Sequence, residues 1–182
     1  MWLMEKIKIV ITIAIVASAF VFCGCKSTST AELPANVLAT VTLDPASGSQ
    51  AHGTVTFIRQ GDGILVKAEI TGLTPGQHGI HIHDKGDCSA PDAMSAGGHF
   101  NPTGMPHGGP MTEMHHAGDF GNLVADENGV VHFEQVFHGL SFEGTNSIIG
   151  RAIIVHAKAD DLTSQPSGNS GARVACGVIE AK

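Results

Sequence analysis

The chain has 182 residues, few charged side chains, 23 glycines and no tyrosine, which fits one domain plus a targeting segment. Its formal net charge of −7, with no run of Lys or Arg, argues against nucleic acid as a partner. Eleven histidines are the outlier of the composition, and most of them fall between His78 and His116, as expected of a metal site.

The first 24 residues read as a signal peptide. Lys6 and Lys8 give a basic start, and the apolar stretch from Ile9 to Phe22 follows. At about 14 residues that stretch is short for a membrane span, which needs roughly 20. It ends in Phe22-Cys23-Gly24-Cys25, which resembles a bacterial lipobox, with Cys25 as the lipidated residue because small Gly24 precedes it. An ordinary secretory signal and an uncleaved anchor are the alternatives. Residues 25–36 are small and polar and read as a flexible tether, leaving 37–182 as the folded domain. The expected location is the cell envelope, on the periplasmic side, held to the membrane by lipid.

In the folded part, short alternating segments recur between turn signals, the pattern of an all-β sandwich or barrel. Val37–Leu43 alternates Val37, Ala39, Val41 and Leu43 against Leu38, Thr40 and Thr42. Gly53–Arg59 and Ile64–Ile70 flank the turn Gln60-Gly-Asp-Gly63, with Ile64, Val66, Ala68 and Ile70 on one face. His78–His83 is a fourth strand. Asn122–Ala125 and Val130–Phe137 flank Asp126-Glu-Asn-Gly129, a second hairpin signal. Ala152–His156 and Arg173–Ile179 complete eight strands. Two stretches break the rhythm: 84–119, rich in Gly, Pro and His, and 157–171. Aperiodic loops of that length in a compact domain are usually functional or disordered. A metal and a disulfide could order the longer one. Cys88 and Cys176 are the cysteines left after the signal; export predicts that they pair, and two buried thiols are the alternative.

His81-Ile82-His83 on a strand presents two imidazoles on one face, while Ile80 and Ile82 point inward. His99, His107 and His116 lie in the long loop, with Asp119 three residues after His116. Three imidazoles and a carboxylate make a plausible closed zinc site. His156 ends its strand and can join His81, His83 and a loop histidine around a second ion, where an all-nitrogen set favours Cu(II). Taken singly, each histidine more often has a bland role as a solvated side chain.

Together these residues resemble the copper–zinc superoxide dismutases. The resemblance rests on Gly79-Ile-His-Ile-His-Asp84, Gly98-His-Phe-Asn-Pro102, His107-Gly-Gly-Pro110, His116-Ala-Gly-Asp-Phe-Gly-Asn122, Ile149-Gly-Arg-Ala-Ile-Ile-Val-His156 and Gly171-Ala-Arg-Val-Ala-Cys-Gly177, all in the family's order. It implies an eight-stranded Greek-key β-barrel or sandwich with two long functional loops. It further implies that His81, His83, His99 and His156 bind copper, and that His99 bridges to zinc, which His107, His116 and Asp119 also bind. Asp160 is implied as the outer carboxylate joining a copper histidine to a zinc histidine. Arg173 is implied as the cation beside the copper, with His99 as its catalytic companion, and Cys88–Cys176 as the intrachain disulfide. Cys88 stands farther from His99 than in the animal cytosolic enzymes, and the second loop is shorter, so only Lys158 is singled out as a helper in substrate steering. His52, His78, His115, His132 and His138 match no ligand position and are expected to be exposed or structurally satisfied. The implied reaction is disproportionation of superoxide anion to dioxygen and hydrogen peroxide in antioxidant defence. A non-catalytic lipoprotein that stores or delivers copper and zinc is the alternative. Family members differ in oligomeric state, so a homodimer stays open.

Overall fold

A computed structural model describes residues 35–182. The expected signal peptide, Cys25 and residues 25–34 of the expected tether lie outside the described residues. Eight strands form most of the domain: β1 Val37–Pro45, β2 His52–Gln60, β3 Gly63–Thr71, β4 Gly76–His83, β5 Asp119–Ala125, β6 Val131–Phe137, β7 Ala152–His156 and β8 Arg173–Val178. A two-residue strand, β9 Glu180–Ala181, adds to β1, and one short 3-10 turn, Met94–Ala96, lies in the long loop. The eight expected strands are all present, with ends shifted by up to three residues.

All pairings in the barrel are antiparallel, in the order β5-β4-β7-β8-β1-β2-β3-β6. The two end strands, β5 and β6, are joined by the Asp126–Val130 turn and close the barrel nearly completely. The Greek-key path is visible in the pairings: the chain leaves β3 for β4 in the far half, then returns as β6 beside β3. β1 belongs to both halves. Val37 and Ala39–Leu43 pair with β2, with Leu38 bulged out of register, and Asp44 and Pro45 pair with β8.

Alternation dictates what fills the barrel. Val37, Ala39, Val41 and Leu43 of β1 are buried, as are Ile64, Val66, Ala68 and Ile70 of β3. All but Val37 meet Val55, Phe57, Ile80, Ile82, Phe120, Leu123, Ile153, Val155 and Ala175 in one core. Phe120 stacks on Phe137 with centroids 4.4 Å apart, tying β5 to β6 across the barrel's closing gap. The turn between them is set by Asp126, whose Oδ1 accepts from the backbone N–H of Asn128 and Val130. Gly129 in that turn has φ +75°, and a Cβ there would lie 2.1 Å from the Leu73 carbonyl oxygen, so only glycine fits.

β7 reads Ala-Ile-Ile-Val-His and is buried at every position. Ile153 and Val155 face the barrel. Ala152 and Ile154 face outward into a second apolar cluster with Ala46, Ala93, Ala96 and Cys176, under the long loop 84–118. A strand covered on both sides has no reason to alternate in polarity, which is why the β7 segment is a continuous apolar run. The disulfide Cys88–Cys176 fastens that loop to β8.

Three connections, not two, are long. Besides 84–118 and 157–172, residues 138–151 join β6 to β7. Its apolar residues Leu140, Phe142, Ile148 and Ile149 pack on the core, although Gly139, Gly144 and Gly150 punctuate it as they do the other loops. Arg151 anchors its end: Nη1 donates to the Asp84 carbonyl oxygen at 2.6 Å and carboxylate at 2.9 Å, Nε donates to Ser147 O, and the guanidinium lies 3.6 Å over Phe100.

Candidate metal centre

The outer face of the β4–β7–β8 half carries the histidines. In the register His81 lies opposite Ile154 and His83 opposite Ala152, so the two imidazoles share the outward side of β4. His156 points the same way by alternation from Ile154. Arg173 needs a further device. Ala175 faces the core, so strict alternation would turn Arg173 inward as well. A β-bulge supplies the extra residue: Val155 pairs with Ala175 and His156 with Arg173, leaving Val174 as the surplus. That one insertion brings Arg173 to the histidine side.

The loop 84–118 brings the remaining groups by returning along β4. Asp84 N–H donates to Gly98 O, and Phe100 N–H to Ile82 O, which pins His99 beside His83. Ile82 N–H donates to Gly118 O, and a bulge between β4 and β5 places Asp119 opposite His81.

Two groups of donor atoms result. His81, His83, His99 and His156 form one; His99, His107, His116 and Asp119 form the other, with the donor atoms of each group within 4.8 Å of one another. His99 belongs to both. Its ring stacks on His81 at 3.9 Å between centroids, and its Nδ1 lies 2.9 Å from Asp119 Oδ1 and 3.4 Å from His116 Nδ1. Asp119 Oδ2 lies 3.0 Å from His107 Nδ1 and accepts from the N–H of His116 and Gly108.

The ring nitrogens divide into two kinds. In four of the six rings one nitrogen is held from outside. His81 Nε2–H donates to Asp160 Oδ2 at 2.7 Å and His107 Nε2–H to Asp160 Oδ1 at 3.0 Å. His83 Nδ1–H donates to Gly97 O at 2.9 Å and His156 Nδ1–H to Gly171 O at 3.2 Å. These bonds fix the tautomers, so the opposite nitrogens carry lone pairs. Those opposite atoms, His81 Nδ1, His83 Nε2, His107 Nδ1 and His156 Nε2, are buried without a hydrogen-bond partner, and so is His99 Nε2. Leaving a polar atom buried and unpaired costs about 1–3 kcal/mol; four of these atoms belong to the first group and His107 Nδ1 to the second, and each group calls for a partner that accepts lone pairs. Metal cations do this. Imidazole suits both copper and zinc, and three imidazoles with one carboxylate suit zinc.

The electrostatics keep these rings ready to bind. Burial lowers the pKa of His81 to about 4, His156 to about 3 and His83 to about 2. Burial also lowers His116. Burial alone would raise Asp119, but hydrogen bonds from His99 and from the His116 and Gly108 amides outweigh it and hold the carboxyl well below its usual range. Asp160 is lowered in the same contest, by the bonds from His81, Leu162 N–H and His107.

Asp160 is itself clamped. Its N–H donates to Asn122 Oδ1 at 2.7 Å, and Asn122 Nδ2 donates to its carbonyl at 2.9 Å. Gly168 presses against it: with φ +66°, any Cβ would fall 1.8 Å from Asp160 Oδ1. Gln165 holds His107 by both backbone groups, accepting from its N–H and donating to its carbonyl. Arg173 Nη1 donates to Ala93 O at 2.7 Å and Nη2 to Gly97 O at 2.6 Å. Gly97 O thus holds both His83 and Arg173, and the guanidinium is close enough to help lower His83 and His156.

The residues expected as ligands fall in these two groups, Asp160 bonds to His81 and His107, Arg173 shares the Gly97 carbonyl with His83, and Cys88 and Cys176 are bonded to each other in the apolar cluster under the loop. Lys158 is exposed beside Gly171. His52, His115, His132 and His138 lie in neither group. His78 also stands outside both groups yet is buried and clasped between carbonyls, with Nδ1 2.7 Å from His156 O and Nε2 2.8 Å from Thr74 O. Asn122, Gln165 and the Gly97 and Gly171 carbonyls were not anticipated. Amides and main-chain oxygens carry no spacing signal that would have marked them.

The sequence model of the copper/zinc superoxide dismutase family matches residues 51–179, from the end of the β1–β2 turn to the residue after β8. With that match over most of its length, the chain belongs to the copper/zinc superoxide dismutase family, oxidoreductases that use copper and zinc.

Proposed function

We propose that the domain disproportionates superoxide at a copper held by His81 Nδ1 and the Nε2 atoms of His83, His99 and His156. In the same reading zinc is held by Nδ1 of His99, His107 and His116 and by Asp119. The observation that carries this is the set of five buried lone-pair nitrogens, among whose rings His99 is the one with no anchor outside the two groups and with donor groups on both sides. Copper supplies one-electron redox chemistry and zinc a redox-inert charge.

The chain's own groups do the rest. Two superoxide anions and two protons yield one dioxygen and one hydrogen peroxide. Arg173 keeps a permanent positive charge at the mouth of the first group, with N–H groups beyond those given to Ala93 and Gly97 available to an anion. The net negative charge does not oppose this, because distant exposed charges are screened beyond roughly 8–10 Å. His99 Nε2 is the ring position that can hold a proton and donate it to departing peroxide. Asp160 keeps His81 and His107 in one tautomer, so neither drifts into that role.

The test is superoxide decay with the metal-loaded domain, wild type beside His156→Ala. Acceleration by the wild type, reduced more than about 100-fold in the variant, supports the reading. Tight metal binding without accelerated decay in the wild type would instead establish storage or delivery, which needs neither Arg173 nor a shared His99.

The same proposal includes export: residues 1–24 removed, Cys25 lipidated, and the domain tethered in the bacterial cell envelope. The apolar Ile9–Phe22 stretch supports it, and so does a formed disulfide, which persists in oxidising compartments. The mass of the mature N-terminus decides it.

A further inference from the structure

A different set of soft donors lies outside both groups. Among the described residues the exposed large hydrophobics number six, and four are methionines of the loop 84–118: Met94, Met105, Met111 and Met114. Met111 is 84% exposed. An exposed thioether contributes nothing to a core, but it is a soft ligand that favours Cu(I) over harder ions.

Met111 is not alone there. It lines a cavity of about 510 Å³ together with His115 and with His138, the residue just after β6. The Met111 side chain is drawn toward β6 by Gln135, whose Nε2 lies 3.9 Å from Sδ. His115 Nδ1–H donates to the His116 carbonyl at 2.7 Å, which leaves Nε2 as the lone-pair nitrogen. This is the arrangement a ligating imidazole needs: one nitrogen tied to a backbone oxygen, the other free to bind. His138 is exposed, and its ring lies against β3, with Cε1 3.1 Å from the position a Cβ would take on Gly63. The three come from two chain segments that only the folded barrel brings to one cavity.

We propose that Met111, His115 and His138 form an additional Cu(I) site on the surface of this domain, separate from the two groups built around His99. One thioether and two imidazoles are a three-donor set for Cu(I), which accepts low coordination and sulfur ligands. Zn(II) would gain little from the thioether. The site would let the domain hold reduced copper without displacing the ions at the centre. The proposal does not depend on the reaction assigned to that centre.

The experiment uses the copper- and zinc-loaded protein, titrated anaerobically with Cu(I) against a chromophoric Cu(I) chelator. One further equivalent is expected, with a sulfur scatterer in its X-ray absorption spectrum. Met111→Leu is expected to weaken that equivalent at least about tenfold and to abolish the sulfur signal, leaving superoxide decay unchanged. His138→Gln should weaken it similarly. Met111 and His138 are exposed, so neither change threatens the fold, and His115→Gln serves as a third arm. Zn(II) titrated in place of Cu(I) should show no dependence on Met111. Absence of an additional equivalent in the wild type, or an equivalent with nitrogen-only scattering that survives Met111→Leu, overturns the proposal.

Discussion

The barrel has two outer faces built on the same alternation, and they meet opposite fates. On β2, β3 and β6 the outward side chains are Thr54, Thr56, Lys67, Glu69, His132 and Glu134, all wholly or partly exposed. Lys67 pairs with Glu134 and Glu69 with His132 across the β3–β6 ladder. On β4, β7 and β8 the outward side chains include His81, His83, Ala152, Ile154, His156 and Cys176, and all are buried by the loops. Water solvates one set of polar groups, so their pairing matters little. It is excluded from the other, where each imidazole must be neutral, anchored on one nitrogen and satisfied on the other by something that is not water. The chemistry sits where solvent cannot compensate.

The sharpest break of that comparison is acid. In the metal-free domain His81, His156 and His83 titrate at about 4, 3 and 2, against 6.5 for the ordinary ring. Below 6.5 the unfolded chain binds protons that the folded chain refuses, so stability falls with falling pH. The loss begins near 6.5 and continues until each folded-state value is passed. Each buried ring contributes up to about tenfold per pH unit in the folding equilibrium. Asp119 and Asp160, with folded values below 3.8, add their loss only at lower pH. Urea unfolding of the apo domain between pH 7 and 5 therefore isolates the histidines: the midpoint should fall steadily. A midpoint that stays level would mean that these rings are hydrated.

Next in size is the disulfide that holds the covering loop. Cys88 and Cys176 close a separation of 88 residues. Cys88→Ser should lower stability by about 2–5 kcal/mol and make Ala93, Ala96 and Ile154 accessible to exchange, since they share the small cluster beneath the loop. Hydrogen exchange should rise on β7 and β8 but not on β2 and β3. A uniform rise over both halves would contradict the separation of the faces.

Asp160→Asn is a smaller and more local change. The amide keeps the shape but can accept from only one of the two rings, so either His81 or His107 loses its tautomer. Metal affinity should fall about 10–100-fold, with Asn122 and Gly168 holding the loop in place. Competition with a chelator measures it. An unchanged affinity would show that the carboxylate serves packing alone.

These outcomes follow from features that were unequally legible in the sequence. Alternation marked the core faces of β1 and β3 residue by residue, because one side of each meets water. The ligand set was legible because histidine and aspartate spacings matched a family pattern. The sequence places the start of β5 at Asn122, while the strand begins at Asp119, since a bulge opposite Gly79–His81 extends the pairing through residues that look like loop. The packing of the connection 138–151 is not legible in the sequence, because Leu140, Phe142 and Ile148 reach the core from a stretch that also carries Gly139, Gly144, Thr145 and Asn146. The bulge at Val174 is invisible for a similar reason: an extra apolar residue next to Ala175 changes register without changing composition. His78 was expected to be satisfied structurally, and it is, but its two carbonyl partners lie 78 and 4 residues away and have no side-chain signature.

The smallest expected effect is on the solvated face. Lys67 Nζ and Glu134 Oε1 are 2.5 Å apart, directly opposite in the β3–β6 register, with side chains 38% and 55% exposed. Geometry this close would signify a strong interaction if it were buried. Here both groups regain hydration when separated, and ordering two long side chains offsets part of the attraction. A double-mutant cycle of Lys67→Ala and Glu134→Ala, read from urea unfolding, should give a coupling of about 0.2–1 kcal/mol that shrinks as salt is added. The nearby Glu69–His132 pair, also exposed, should behave alike. A coupling several times larger and insensitive to salt would mean that this face is covered in solution, and the contrast between the two halves of the barrel would no longer rest on water.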